Sequence, residues 1–99
     1  MSRRENRVEK ALQQIVKAAG GTAQKHTNPG HRGDPDRLCS FPRGYHCLVE
    51  TKWVDGVPPT DAQLRRHRFW RSHGMDVYVV GSPEAAQRLI DTLRMADRI

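Results

Sequence analysis

Glu50-Thr51-Lys52 sets an acid and an amine two residues apart, and upstream of it Gly33-Asp34-Pro35-Asp36 delivers another acid from a turn. Side chains alternate between the faces of a strand, so Glu50 and Lys52 project side by side while Thr51 points away. Two carboxylates beside an ammonium can hold a divalent cation and leave the lysine to address a phosphate. Plainer readings exist for the same residues. Asp36 can be a turn residue after Pro35, and Glu50 with Lys52 a neighbour pair on a solvated strand face.

The elements that must position these residues are legible in the hydrophobic pattern. Val8, Leu12, Ile15, Val16 and Ala19 recur at three and four, which predicts a first helix from Ser2 to about Ala19. Ser2 with Glu5 has the form of a capping box, and Gly20-Gly21 supplies the stop. Thr22 to His26 reads as a short strand, followed by a loop over Thr27 to Gly33. Arg37 to Phe41 and Tyr45 to Val54 read as strands joined by Pro42-Arg43-Gly44, with Leu48, Glu50 and Lys52 on one face of the second. A second helix runs from Thr60 to about His73, a strand from Met75 to Val80, and a last helix from Ser82-Pro83-Glu84 with Ala86, Leu89, Ile90 and Leu93 as its buried stripe. The order α-β-β-β-α-β-α predicts an α/β fold, a mixed sheet flanked by helices, in one domain over residues 1–99.

Composition limits the partners. Seventeen Lys and Arg against eleven Asp and Glu give a net charge of +6, a field that draws polyanions and above all nucleic acid. There is no long apolar run, no signal pattern and no basic helix with a bulky apolar face, so a soluble intracellular protein without a membrane partner is expected. Cys39 and Cys47 lie in apolar runs without zinc-type spacing and read as reduced core thiols.

The ordered set Gly33-x-Pro35-Asp36-Arg37, Val49-Glu50-x-Lys52 and Gln63 near a helix start resembles the VRR-NUC domain of the PD-(D/E)xK nuclease superfamily. Val8-Glu9-Lys10 with Leu12, Gly20-Gly21, Pro29-Gly30, the strand from Val77 to Val80 and Ser82 fall in the same order, so the resemblance spans nearly the whole chain. It implies a restriction-endonuclease-like fold and Mg²⁺- or Mn²⁺-dependent hydrolysis of DNA phosphodiesters. Stand-alone phage and bacterial members are similar to dimeric Holliday-junction resolvases, which implies a homodimer acting on branched DNA in the cytoplasm of a bacterial or phage-infected cell. Residue by residue, the resemblance makes Asp36 and Glu50 metal ligands with the Thr51 carbonyl, and Glu9 completes the cluster. Lys52 would orient water or stabilise phosphoryl charge, and Gln63 would organise the site. Asp34 departs from the pattern, where relatives more often have an apolar residue; it would add a water-mediated metal contact or face solvent.

Other readings stand beside these. Glu9 has no basic neighbour at helical spacing and borders the apolar stripe, where a carboxylate can reach inward. Thr60-x-x-Gln63 is itself a capping box, and Gln63, His67 and Trp70 share a face turned to the protein. Lys25, His26, His31, Arg32 and Arg37 surround the motif loop as candidate DNA contacts. Arg65, Arg68 and Arg71 form a stripe that either follows phosphates or is a solvated face. One of Phe69 and Trp70 is expected outside the core, for a subunit contact or stacking on an unpaired base. The alternative to a nuclease is a non-catalytic basic DNA-binding module.

Overall fold

A computed structural model describes residues 3–99, apart from the side chains of residues 4 and 5, so the Ser2–Glu5 capping box lies outside the described residues. The chain runs α1 (Arg3–Ala18), β1 (Thr22–Lys25), β2 (Arg37–Ser40), β3 (His46–Thr51), α2 (Asp61–Ser72), β4 (Asp76–Val80) and α3 (Pro83–Met95). A single turn of 3₁₀ helix, Pro42–Gly44, joins β2 to β3. This is the expected order, but β3 ends at Thr51 rather than Val54. Its last ladder bond runs from Lys52 N to Val80 O, after which Trp53 to Gly56 turn away.

The sheet order is β1-β2-β3-β4, antiparallel between β1, β2 and β3 and parallel between β3 and β4. Parallel pairing requires a crossover, which α2 supplies. Register and pleat sort the strand residues by face. Cys39, Cys47, Val49 and Val80 join the core with Val8, Leu12 and Val16 of α1 and Ala86, Leu89, Ile90 and Leu93 of α3. Leu48, Glu50 and Val77 lie on the opposite face, where α2 packs. Cys39 and Cys47 are Cα partners across β2 and β3, both buried and free, as small core residues. At the far end of β4, Asp76 accepts from Tyr45 Oη at 2.6 Å and Arg98 Nη2 at 2.9 Å, tying the C-terminal segment to the sheet.

Between β1 and β2 the chain makes a long excursion, and its fit against α2 depends on Gly33. That residue has φ +94°, and a Cβ there would lie 2.6 Å from the Ala62 carbonyl carbon and 2.8 Å from Gln63 N. Any side chain would be strained twice over, by the left-handed backbone and by the helix start. Gly33→Ala is therefore expected to destabilise the fold by about 1–3 kcal/mol in urea unfolding. A loss under about 0.5 kcal/mol, the usual range for an innocuous surface change, would show that the loop does not rest on α2.

Candidate active site

Strand β2 begins at Arg37, opposite Val49, so the edge of β3 beyond Val49 has no strand beside it on that side. In a parallel ladder the N–H and C=O of one residue point the same way and alternate from residue to residue. Lys52 N reaches Val80 O on the β4 side, so both backbone groups of Thr51 point toward the gap past β2. Asp36 fills that gap with its side chain: Oδ2 accepts from Thr51 N at 2.9 Å and from Thr51 Oγ1 at 2.8 Å. The carboxylate is thereby docked on β3 between Glu50 and Lys52, and the Thr51 carbonyl opens into the same space.

Glu50 and Lys52 are only 3% and 6% exposed, which excludes a solvated strand pair. Helix α2 covers them. Lys52 Nζ donates to Gln63 Oε1 at 2.8 Å, and the same oxygen accepts from Thr60 N at 2.9 Å while Thr60 Oγ1 accepts from Gln63 N. The capping box is present, and it aims the amide at Lys52. One helical turn on, His67 is 1% exposed, and its Nε2 lies 3.7 Å from Glu50 Oε1 without making a hydrogen bond. Burial, with the charges of Arg71 and Lys52, pushes His67 below the ordinary histidine range. That shift favours the neutral imidazole.

Glu9 is buried as the sequence suggests, and its Oε1 accepts from Arg37 Nε at 3.3 Å. The basic partner that helical spacing does not provide comes from the neighbouring strand. Among the described residues no three acidic, histidine or cysteine side chains converge into a metal cage. The hard oxygens at this end of β3 are those of Asp36, bonded to Thr51, of the buried Glu50 and of the Thr51 carbonyl. That donor set suits Mg²⁺ or Mn²⁺, which bind oxygen and keep several waters.

Asp34 corrects one expectation, since its carboxylate does not face solvent. Its carboxylate is 5% exposed and pairs with Arg66 Nε of α2, with Asn28 Nδ2 at 3.0 Å and with His26 Nε2 at 3.2 Å. Burial alone would raise its pKa, but hydrogen bonds from Arg66, Asn28 and His26 outweigh burial and lower it to about 2. Arg66 is the residue that sequence reasoning passed over, while His67 was placed on the inward face without a role. His67 carried a signal, being one turn from Gln63 on the same face. The Asp34–Arg66 pair spans 32 residues and carried none.

The candidate DNA contacts divide. Arg37 is turned inward to Glu9, and His26 is half-buried against Asp34 and the Trp70 ring. Lys25, Arg32, Arg65, Arg68 and Arg71 are exposed, Arg71 also donating to Val77 O at 2.6 Å. Arg32 and Arg65 line a groove of about 500 Å³ that runs to Gln63. Of the aromatic pair, Phe69 is the exposed member, 5.2 Å from the Trp70 ring and beneath the Arg66 guanidinium at 4.3 Å.

The chain is 41% identical over 86 residues to "Putative nuclease p44" of Acyrthosiphon pisum secondary endosymbiont phage 1, an alignment covering 87% of this chain and 91% of that protein. A solved structure described as a VRR_NUC domain superposes with a TM-score of 0.85 at 37% identity, covering 91% of this chain and 97% of its own. No protein-family model matches the sequence.

The Asp34 clamp has a pH signature. Its folded pKa is depressed, so the stabilisation is complete above the unfolded value of 3.8 and is lost as pH falls through that value toward 2. Asp34→Asn is expected to cost about 2 kcal/mol at pH 7. The difference from wild type should narrow as the pH falls below the unfolded value of 3.8 and close only as it falls through about 2 in urea titrations. A gap independent of pH would show that the Asp34 charge is not what stabilises the loop.

Proposed function

The chain belongs to the VRR-NUC family of nucleases, and on that premise we propose that it is a metal-dependent DNA endonuclease of the PD-(D/E)xK type. One observation carries the reading: a buried Glu50 and Lys52 share a strand face, and the Asp36 carboxylate is bonded to the backbone residue between them. Asp36, Glu50 and the Thr51 carbonyl would hold Mg²⁺ or Mn²⁺. When bound, the ion lowers the pKa of a water molecule and polarises the scissile phosphate.

The chain's own residues do the rest. Gln63 fixes the Lys52 ammonium at the site, where it orients the attacking water or meets charge developing on the phosphoryl oxygens. Thr51 holds Asp36 through one carboxylate oxygen, Oδ2, and so orients the group. Glu9 would join the ligands by exchanging Arg37, whose guanidinium would then be available to a phosphate. Arg32 and Arg65 flank the groove leading to Gln63 and would position the backbone of the cut strand. Each chain has one such site, and symmetric resolution of a four-way junction needs two cuts, so we assign a two-fold homodimer acting on branched DNA. Among the described residues no helix is long and apolar enough to cross a membrane.

The test is cleavage of an end-labelled four-way junction and a matched linear duplex with Mg²⁺ or chelator. Glu50→Gln is expected to abolish cutting, and Lys52→Met to slow it roughly 100-fold or more. Glu50→Gln should bind DNA at least as well as wild type in chelator, because a carboxylate without its cation repels phosphate, whereas Lys52→Met removes a cation and should bind no more tightly than wild type. Cutting that survives chelator or Glu50→Gln would sink the metal mechanism. Equal cutting of both substrates would remove the preference for branches, and tight binding with no cutting under either metal would leave a DNA-binding module.

A further inference from the structure

Helix α1 contributes Val8, Leu12 and Val16 to the core, so its outer side faces solvent. On that side Arg3, Arg7, Lys10, Gln14 and Lys17 recur at intervals of four, three, four and three, which is one helical stripe. All five are exposed, and the stripe holds no acid. Among the described side chains its four cations form no ion pair with a carboxylate, whereas Arg37, Arg43, Arg66, Arg88 and Arg98 each form one. The stripe is about 21 Å long, fourteen residues at the α-helical rise. A groove of about 500 Å³ runs along its first half, lined by Arg3, Asn6, Arg7, Lys10 and Gln14 with Pro83 of α3.

Its occupant follows from chemistry. A two-fold contact between copies would set these cations against each other, so a second copy of the chain is disfavoured. The residues between the cations are Asn6, Ala11, Gln13, Gln14 and Ala18, with no bulky apolar side chain to enter a lipid interface. A duplex, with one phosphate charge per about 1.7 Å of axis, matches a straight cationic ridge. The ridge does not belong to the groove at Gln63. Helix α1 covers the face of the sheet that carries Cys47 and Val49, and α2 covers the face that carries Glu50 and Lys52. The body is at least 22 Å across in every direction. A straight duplex lying along α2 does not reach the outer side of α1.

We propose that the outer face of α1 is a second duplex-binding surface, which takes an arm of the DNA other than the one held at Asp36, Glu50 and Lys52. This rests on the reading of a nuclease for branched DNA, and it assigns a place to the arm that is not cut.

The experiment compares wild type with the triple variant Arg7→Gln, Lys10→Gln, Lys17→Gln, all at exposed positions. Binding to a four-way junction and to a linear duplex is measured in chelator over a range of salt. The variant is expected to bind the junction roughly 10- to 100-fold more weakly near physiological salt, with the salt slope reduced in magnitude by about 2 to 3. Its affinity for the duplex should stay within about twofold of wild type, as expected if the active-site face dominates there. Equal losses on both substrates, or on neither, would overturn the proposal. So would co-sedimentation of wild type, but not the variant, with anionic phosphatidylserine vesicles while junction binding is unchanged. Mg²⁺-dependent cutting of the junction at saturating protein reports separately on the nuclease reading: the variant should cut at the wild-type rate once the junction is fully bound, and an absence of cutting by both proteins would sink that reading while leaving the binding comparison intact.

Discussion

Strand β2 begins at Arg37, opposite Val49, and leaves the last two residues of β3 without a strand beside them; the structure of the site depends on what fills the missing place. A buried N–H left without an acceptor costs about as much as a lost hydrogen bond, so Thr51 needs a partner on that side. Asp36 provides it with a side chain instead of a backbone carbonyl. A ladder bond would have closed the edge with neutral groups. The substitution brings a charged oxygen pair to the place where Glu50 and Lys52 emerge, and it leaves the Thr51 carbonyl facing the same space. The placing of Asp36 beside the Glu50-Thr51-Lys52 strand end is thus a by-product of satisfying the sheet, and the cost of burying its carboxylate is offset by the hydrogen bonds from Thr51.

Helix α2 is the second half of this arrangement, and it has to be held in register over the strand face. Two contacts do this. The Gln63 amide oxygen bridges the helix start and Lys52, so the cap and the site share one acceptor. Arg66 reaches Asp34 in the loop that also carries Asp36. Loop, strand and helix therefore position one another, and Gly33 lets the loop approach Ala62 closely enough for this to happen. Asp34 is best understood as a fastening of the loop that delivers Asp36, which separates the roles of two aspartates lying two residues apart.

Much of this was legible in the sequence because it is periodic or local. The stripes of α1 and α3, the alternation along β3 and the Thr60–Gln63 cap each follow from residues within a few positions of one another, and the structure contains all of them. The motif residues Asp36, Glu50 and Lys52 are brought together by β2 and β3, whose pairing the hairpin-length connection already suggested. What stayed hidden was long-range pairing. Glu9 meets Arg37 across 28 residues, and Asp34 meets Arg66 across 32. No spacing rule connects such positions, so Arg37 read as a free cation and Asp34 as a surplus acid. The end of β3 was missed for a related reason: Trp53 and Val54 continue the apolar alternation, but β4 ends at Val80 and offers them no further partner.

The charge balance takes its meaning from the same pairings. Glu9 is matched with Arg37, Asp34 with Arg66, Asp76 with Tyr45 and Arg98, Asp97 with Arg43, and Asp55 with Ser82 and Arg88. Acids used within the fold do not screen the cations left outside it. The net charge of +6 is therefore concentrated, not spread: it resides on the exposed residues of α1, of α2 and of the loop around Arg32. A low-dielectric body between two cationic surfaces keeps their fields distinct, and each attracts its own length of polyanion within about a Debye length. The carboxylates at Asp36 and Glu50 lie below this positive surface, where the surrounding cations draw in the phosphate that those carboxylates alone would repel.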